Sequence, residues 1–132
     1  MKVTRISAIT LKVKDIDVSV AFYSQIPGFQ LLYVRSGPNF ASFGIDDNFI
    51  NLEESHNINI DWGRVILYCD NVDLINHELR DRGFNPPPPK DASWNERYFH
   101  ISDPDGHEIS FAQPIDSFTN KNQLLHKSNR DF

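Results

Sequence analysis

The side chains that could bind or transform a small molecule alternate with apolar residues in three segments of the second half of the chain. They are Arg64 and Tyr68 in the first segment, Tyr98 and His100 in the second, and Ser110 in the third. Alternation with a period of two predicts β-strands that have one apolar face and one mixed face. A cation, two phenols, an imidazole and a hydroxyl on such faces are typical of a small-molecule pocket.

Each of these groups has a chemical interpretation and a structural one. Arg64 could hold a carboxylate or phosphate with two hydrogen bonds, or simply be solvated at the start of its strand. His100 is the candidate catalytic residue because an imidazole titrates near neutral pH, but a backbone carbonyl could equally satisfy it. Tyr68 and Tyr98 would supply stacking area and a hydroxyl rather than chemistry.

The remaining acids and histidines are weaker candidates. Glu53 could be a base or a metal ligand, but the end of a strand favours a solvated carboxylate. His107 follows a turn glycine and is expected on the surface. His56 and His77 fall in a linker and on a helix, and no ligand spacing relates them.

Composition excludes several classes of partner. The chain has 132 residues and a net charge of −5 without a basic block, which argues against binding nucleic acid or anionic membranes. Its single cysteine, Cys69, excludes an internal disulfide and, within an apolar run, predicts an inert thiol. No signal-peptide core or membrane-length apolar run is visible, so we expect a soluble, cytoplasmic protein.

Two stretches of the chain follow the same pattern, and this repeat determines the architecture. The first runs from Ile9 to Asp17 and the second from Val65 to Asp73. In both, an apolar run leads to a polar pair, an aliphatic residue and an Asp, and then to a helix-like segment closed by Gly-Phe, at residues 28–29 and 83–84. An internal repeat of this length predicts two copies of one supersecondary unit.

Each copy is predicted to contain a strand, a helix and three further strands. In the first copy the strands are 6–13, 29–35, 40–45 and 49–53. In the second they are 65–69, 97–101 and 108–113, and the strand expected at the prolines 86–89 is replaced or pushed to an edge of the sheet. Asp15 or Asp17 caps the first helix, whose apolar face is read as Val18, Ala21 and Phe22. The second helix buries Val72, Ile75 and Leu79. The fold class is therefore α+β, with two tandem βαβββ modules.

This order resembles the vicinal oxygen chelate superfamily, which includes glyoxalases, extradiol dioxygenases, fosfomycin-resistance transferases and bleomycin-resistance proteins. The resemblance is carried by the segment 97–111 with its Asp103-Pro-Asp-Gly106 turn, and by Ala21-Phe-Tyr23 before Gly28-Phe29. It covers about residues 4–113. It implies one domain, 1–114, with modules at about 4–53 and 63–113, whose mixed half-sheets form an open cup. Residues 115–132 would be a polar C-terminal tail.

The resemblance also implies where metal ligands would lie. Aligned on the repeated motifs, the four ligand positions of the family fall on Ala8, Asn51, Arg64 and Ser110. Alanine has no donor atom and a guanidinium has no lone pair, while Asn and Ser are weak neutral donors. We therefore expect no metal and no cofactor.

Two functions from different classes remain open. The first is a metal-free module, similar to the bleomycin-resistance branch, that binds a small organic molecule in the cup. The second is a lyase, dioxygenase or thiol transferase of the same superfamily, which would need His100, Glu53 and Glu108 as replacement ligands or metal-free acid–base work by His100. The predicted ligand-binding residues are Asn51, Arg64, Tyr68, Tyr98, His100 and Ser110.

A homodimer is expected as well, because half-sheets of this size leave strand edges that need cover. Trp62 and Trp94 flank the second module, and they would either line the rim of the cup or be buried in the dimer interface.

Overall fold

The computed structural model describes residues 1–115, and it divides them into two compact units. The first unit contains residues 1–63 together with the loop 102–107; the second contains residues 64–101 and the described chain from 108 onward. The elements in chain order are β1 (Ala8–Val13), α1 (Ile16–Ser24), β2 (Gln30–Arg35), β3 (Phe40–Ile45), β4 (Asn48–Glu54), β5 (Arg64–Tyr68), α2 (Val72–Asp81), β6 (Lys90–Asp91), β7 (Glu96–Ser102) and β8 (Glu108–Pro114).

Each unit holds one four-stranded sheet of mixed direction. The order is β1-β4-β3-β2 in the first and β5-β8-β7-β6 in the second. The first and last strands of each module are parallel neighbours. The strand β3 runs antiparallel to both of its neighbours, β2 and β4, and β6 runs antiparallel to β7. The predicted βαβββ order is thereby confirmed in both modules.

The first helix buries a different face from the one predicted. Asp15 is its N-cap and accepts hydrogen bonds from the backbone N–H groups of residues 17 and 18. The buried residues are Ile16, Ser19 and Tyr23, whereas Val18 is 50% exposed. The prediction of Val18, Ala21 and Phe22 was wrong because it followed only the spacing of wholly apolar residues. The tyrosine provides a larger apolar body, and its hydroxyl has a buried partner.

The second helix agrees better with its pattern. Val72 and Leu79 are buried as predicted, while Ile75 is only half-buried. Asn76 is buried as well, and its amide donates to the carbonyl of Pro87 at 2.8 Å. The proline segment is thus held against the helix, and the strand that follows it is reduced to the two residues of β6 at the edge of the sheet.

The Gly-Phe pairs lie at different distances from their helices. Gly83 directly follows the C-cap of α2 and has φ +87°, which a residue with a side chain rarely adopts. In the first module the C-cap is Gln25, so Gly28, with φ +94°, turns the chain three residues later instead of closing the helix as predicted.

Asp103 anchors the loop 102–107 inside the first unit. One oxygen of its buried carboxylate accepts from the Tyr23 hydroxyl at 2.7 Å, and the other accepts from the backbone N–H of Asp105 and of His107. Burial, followed by the charge of Asp103 and its hydrogen bond, raises the pKa of Tyr23 far above its ordinary value, so the phenol stays protonated and donates.

His107 corrects the expectation of a surface histidine, since it is only 2% exposed. Its Nδ1 accepts from the indole N–H of Trp62 at 3.0 Å, and its Nε2 lies 2.7 Å from the carbonyl oxygen of Lys12. These contacts fix a neutral tautomer that carries its proton on Nε2. The turn glycine indicated a surface position, but the loop directs this side chain inward.

The environment of the Cys69 thiol agrees with the expectation from the sequence. Burial, and then the charge of Asp70, raises the pKa of the Cys69 thiol from 9.0 to about 11, as expected of an unreactive cysteine. Neither helix in residues 1–115 is long and apolar enough to cross a membrane.

Candidate functional site

The mixed face of the second sheet is built from alternate residues of β5, β8 and β7. Parallel pairing sets Arg64 beside Glu108 and Tyr68 beside Ala112. On β7, Tyr98 and His100 are half-buried while the intervening Phe99 is buried on the other face, as the alternation predicted. The sheet therefore gathers most of the predicted residues on one surface. We call this surface, formed by residues 64, 68, 94, 96, 98, 100, 108 and 110, the mixed face.

Arg64 is paired with an acid on this face. Its Nε lies 2.8 Å from a carboxylate oxygen of Glu108, and about a third of each side chain is exposed. Such a pair adds at most about 1 kcal/mol to stability. Its effect is instead to orient the guanidinium and offset its charge. Alternation with Ser110 could have placed Glu108 on this face, but from the sequence it was predicted only as a spare metal donor.

His100 contacts the hydroxyl of Ser110 through Nδ1, with 2.5 Å between the nitrogen and the oxygen. Burial lowers the pKa of His100 below its ordinary 6.5; the charges of Arg64 and Lys90 act in the same direction, and Glu108 opposes them. The imidazole is therefore neutral at pH 7 and able to accept a proton. Ser110 is fully buried, so its hydroxyl positions the imidazole and is not exposed to attack a ligand.

Three rings form a row that begins just before β7 and continues along it. The rings of Trp94 and Tyr98 are nearly parallel, with centroids 6.2 Å apart and an interplanar angle of 23°. The centroids of Tyr98 and His100 are 5.0 Å apart, and their planes are inclined by 49°. Trp94, which the sequence placed either at a rim or in a dimer interface, thus belongs to the same surface as the predicted ligand residues.

Glu96 is a member of this face that was not predicted from the sequence. Its side chain is 1% exposed, and its carboxylate accepts hydrogen bonds from the Tyr68 hydroxyl and, at 2.9 Å, from the indole N–H of Trp94. The available signal was its position two residues before Tyr98 in the same alternation. A glutamate at the start of a strand is ordinarily interpreted as solvated, so Glu96 was not predicted to belong to the site.

Asn51, the sixth predicted ligand residue, belongs to the first unit. It lies on β4 opposite Thr10 of β1, and its amide donates to the Thr10 hydroxyl at 3.4 Å. The structure therefore brings together five of the six predicted residues, Arg64, Tyr68, Tyr98, His100 and Ser110, within one unit.

The four residues at which the resemblance predicted metal ligands do not have the chemistry to hold a metal ion together. Ala8 offers no donor atom, and Arg64 is a cation held by Glu108. The Asn51 amide is turned to Thr10, and the Ser110 hydroxyl contacts His100. No group of three or more His, Cys, Asp or Glu side chains within residues 1–115 is placed to hold a metal ion, and this includes the spare donors considered above.

The first unit has a concave surface of its own. A cleft of about 600 Å³ lies along β1 and the segment after β4. Trp62 is 43% exposed in its wall, and the buried His107 fixes the indole N–H. This cleft contains none of the six predicted ligand residues; its polar lining includes Thr10, Lys12, His56, Asn57 and Asn59.

Comparison with known families and structures gives a consistent result. The family model described as Glyoxalase/Bleomycin resistance protein/Dioxygenase superfamily matches residues 5–111. No curated protein sequence matches the chain.

Solved structures share the fold along nearly their whole length. TnmS3, an antibiotic binding protein from Streptomyces sp. CB03234, is 26% identical, with a TM-score of 0.76 over 86% of this chain and 98% of that one. The fosfomycin resistance protein FosX from Listeria monocytogenes is 20% identical, with a TM-score of 0.72 over 85% and 94%. A glyoxalase/bleomycin resistance protein/dioxygenase from Nocardioides is 22% identical, with a TM-score of 0.72 over 89% and 87%.

Proposed function

Because the chain belongs to the glyoxalase/bleomycin resistance protein/dioxygenase superfamily, we propose that it binds a small organic molecule on the mixed face without a divalent metal. The observation that carries this proposal is the Arg64–Glu108 ion pair, because it puts a cation, already paired with an acid, at a position where the resemblance predicted a metal ligand. A metal ion placed there would meet like charge at close range.

The chemistry of the mixed face supports an organic ligand. The planar guanidinium of Arg64, whose Nε faces Glu108, has the geometry that suits a carboxylate. The rings of Trp94 and Tyr98 provide apolar area with polar edges. The likeness to TnmS3, described as an antibiotic binding protein, supports a ligand of drug-like size.

A second candidate function is metal-free acid–base catalysis by His100. It is favoured by the lowered pKa of the imidazole and by its contact with Ser110, which together keep a neutral base at pH 7. In this alternative a bound ligand would lose a proton to His100, and replacement of His100 would abolish turnover.

A direct test combines metal analysis with a binding screen. The natively purified protein should contain substoichiometric zinc, iron, nickel and manganese, and thermal-shift screening should find small organic acids whose effect persists in a chelator. Stoichiometric metal held by residues of the mixed face would contradict the proposal, as would ligand binding that a chelator abolishes and metal restores.

A further inference from the structure

We infer that Glu96 is a positioning residue which fixes Tyr68 and Trp94 as a rigid wall, and that this wall selects a planar aromatic acid. The inference rests on the proposed function and names the class of ligand that the mixed face would take. It follows from the two aromatic donors that converge on one buried carboxylate.

The burial of Glu96 is the first observation. A carboxylate is costly to remove from water unless hydrogen bonds compensate it, and this one is 1% exposed. Tyr68 and Trp94 donate to its two different oxygens. Removal of the carboxylate would leave the Tyr68 hydroxyl and the Trp94 indole N–H without this shared acceptor.

The register of the sheet is the second observation. Tyr68 lies on β5 and Glu96 on β7, and β8 runs between them. Tyr68 is the register partner of Ala112, a small and fully buried residue of β8. The tyrosine hydroxyl therefore reaches across the central strand to the carboxylate, and the small side chain there leaves the path open.

The exposure of the rings is the third observation. Tyr68 remains 49% exposed although Glu96 holds its hydroxyl, and Trp94 is half-buried with its indole N–H held. Rings fixed before a ligand arrives lose little side-chain entropy on binding. A fixed ring face favours another flat ring, which can stack on it, over a flexible or puckered body.

Charge completes the description of the ligand. Arg64 lies on the same strand as Tyr68, at the opposite end of β5. Its guanidinium suits a carboxylate. A ligand with an aromatic ring and a carboxylate is therefore complementary to Tyr68 at one end of β5 and to Arg64 at the other.

The ligand class is tested with 2-naphthoate and its saturated counterpart, decahydro-2-naphthoate, which share one carbon skeleton and one charge. Isothermal titration should show the planar acid binding about threefold to tenfold more tightly, the range expected from ring stacking. Equal affinity of the two acids, or absence of naphthoate binding, would overturn the assigned ligand class. A different result would contradict the proposed function itself, namely that no organic ligand of the screen binds in a way that depends on Arg64.

The positioning role is tested with Glu96→Ala and Glu96→Gln, with Glu78→Ala, an exposed glutamate of α2, as the control. In a Trp62→Phe background, Trp94 is the single tryptophan of the chain. Acrylamide quenching of its fluorescence should increase in Glu96→Ala and to a lesser degree in Glu96→Gln, which keeps one oxygen acceptor. The preference for the planar acid should fall in the same order.

Unchanged quenching, or an unchanged preference for the planar acid in folded Glu96→Ala protein, would refute the positioning role. If Glu96→Ala does not fold, Tyr68→Phe decides the question, because it removes one donor and keeps the ring. The phenylalanine variant should lose part of the preference for naphthoate, and retention of the full preference would count against the inference.

Discussion

At the scale of single residues, Arg64 and His100 decide how the mixed face meets a ligand. Both were singled out by alternation in the sequence, and both have partners that alternation could not show: Glu108 for the arginine and Ser110 for the histidine. Each partner changes the chemistry. The acid orients and offsets the cation, and the buried hydroxyl fixes one nitrogen of the imidazole.

Replacing Arg64 by Ala should weaken the binding of an anionic ligand by about 1.5–3 kcal/mol, the range for a hydrogen bond to a charged group. The loss would be greatest for acids, because Glu108 would be left without its cation. Titration calorimetry with 2-naphthoate and the neutral 2-naphthalenemethanol measures the difference. Arg82→Ala, which removes an exposed arginine at the C-cap of α2 that is paired with Glu78, is the matched control. Equal losses for the acid and the alcohol would contradict the prediction.

His100 should make stability depend on pH in a defined direction. Its pKa in the folded protein is lower than the ordinary 6.5, so the unfolded chain takes up the proton first. The stabilisation is fully present above pH 6.5 and is lost as the pH falls from there through the folded-state pKa.

Urea unfolding at a series of pH values should therefore show a smaller acid-induced loss of stability in His100→Gln than in the parent protein. His77→Gln is the control, because His77 lies on the exposed face of α2. A pH profile of His100→Gln that superimposes on that of the parent would refute the assignment.

At the scale of elements, buried hydrogen bonds fasten the short loop 102–107 to the first unit. Asp103 accepts from the Tyr23 hydroxyl and from two backbone N–H groups, so its carboxylate holds both the helix α1 and the turn. Asp103→Ala should destabilise the protein by about 1–3 kcal/mol, because it leaves the buried Tyr23 hydroxyl unpaired.

Tyr23→Phe gives the comparison for this loop. It removes the hydroxyl and keeps the ring, so it should cost less than Asp103→Ala in chemical unfolding, and the double variant should cost less than the sum of the two. Strictly additive losses would show that the two side chains do not act as a pair.

At the scale of the whole molecule, the edges of the sheets bear on assembly. Strands β1 and β2 are the edges of the first sheet, and β5 and β6 are those of the second. Leu31, Leu32, Tyr33 and Val34 of β2 are all exposed, and an apolar edge of this kind needs cover. This exposure supports the proposal of a homodimer.

Sedimentation equilibrium should accordingly find a dimer at roughly tens of micromolar protein, a concentration suited to a moderate interface. Val34→Lys would introduce a charge into the exposed strand, and it should shift the equilibrium towards monomer if β2 lies in the interface. Val18→Lys, on the exposed side of α1, is the control. A monomeric parent protein at that concentration would contradict the proposal.

The sequence by itself determined the repeat, the βαβββ order and most strand bounds, because alternation, turn residues and glycines are local signals. It also placed Arg64, Tyr68, Tyr98, His100 and Ser110 correctly on one face of predicted strands, since side-chain direction along a strand follows directly from spacing. That the two sheets form one cup stays a prediction.

Only the tertiary structure decided which partners these side chains meet. Glu96 and His107 are buried although their local sequence indicates exposure, because residues distant along the chain satisfy their polar atoms. The same reason explains why Tyr23 replaced Phe22 on the buried face of α1, since a tyrosine can be buried where Asp103 accepts its hydroxyl. A local pattern fixes the direction of a side chain, whereas burial of a polar group depends on a partner that only folding brings near.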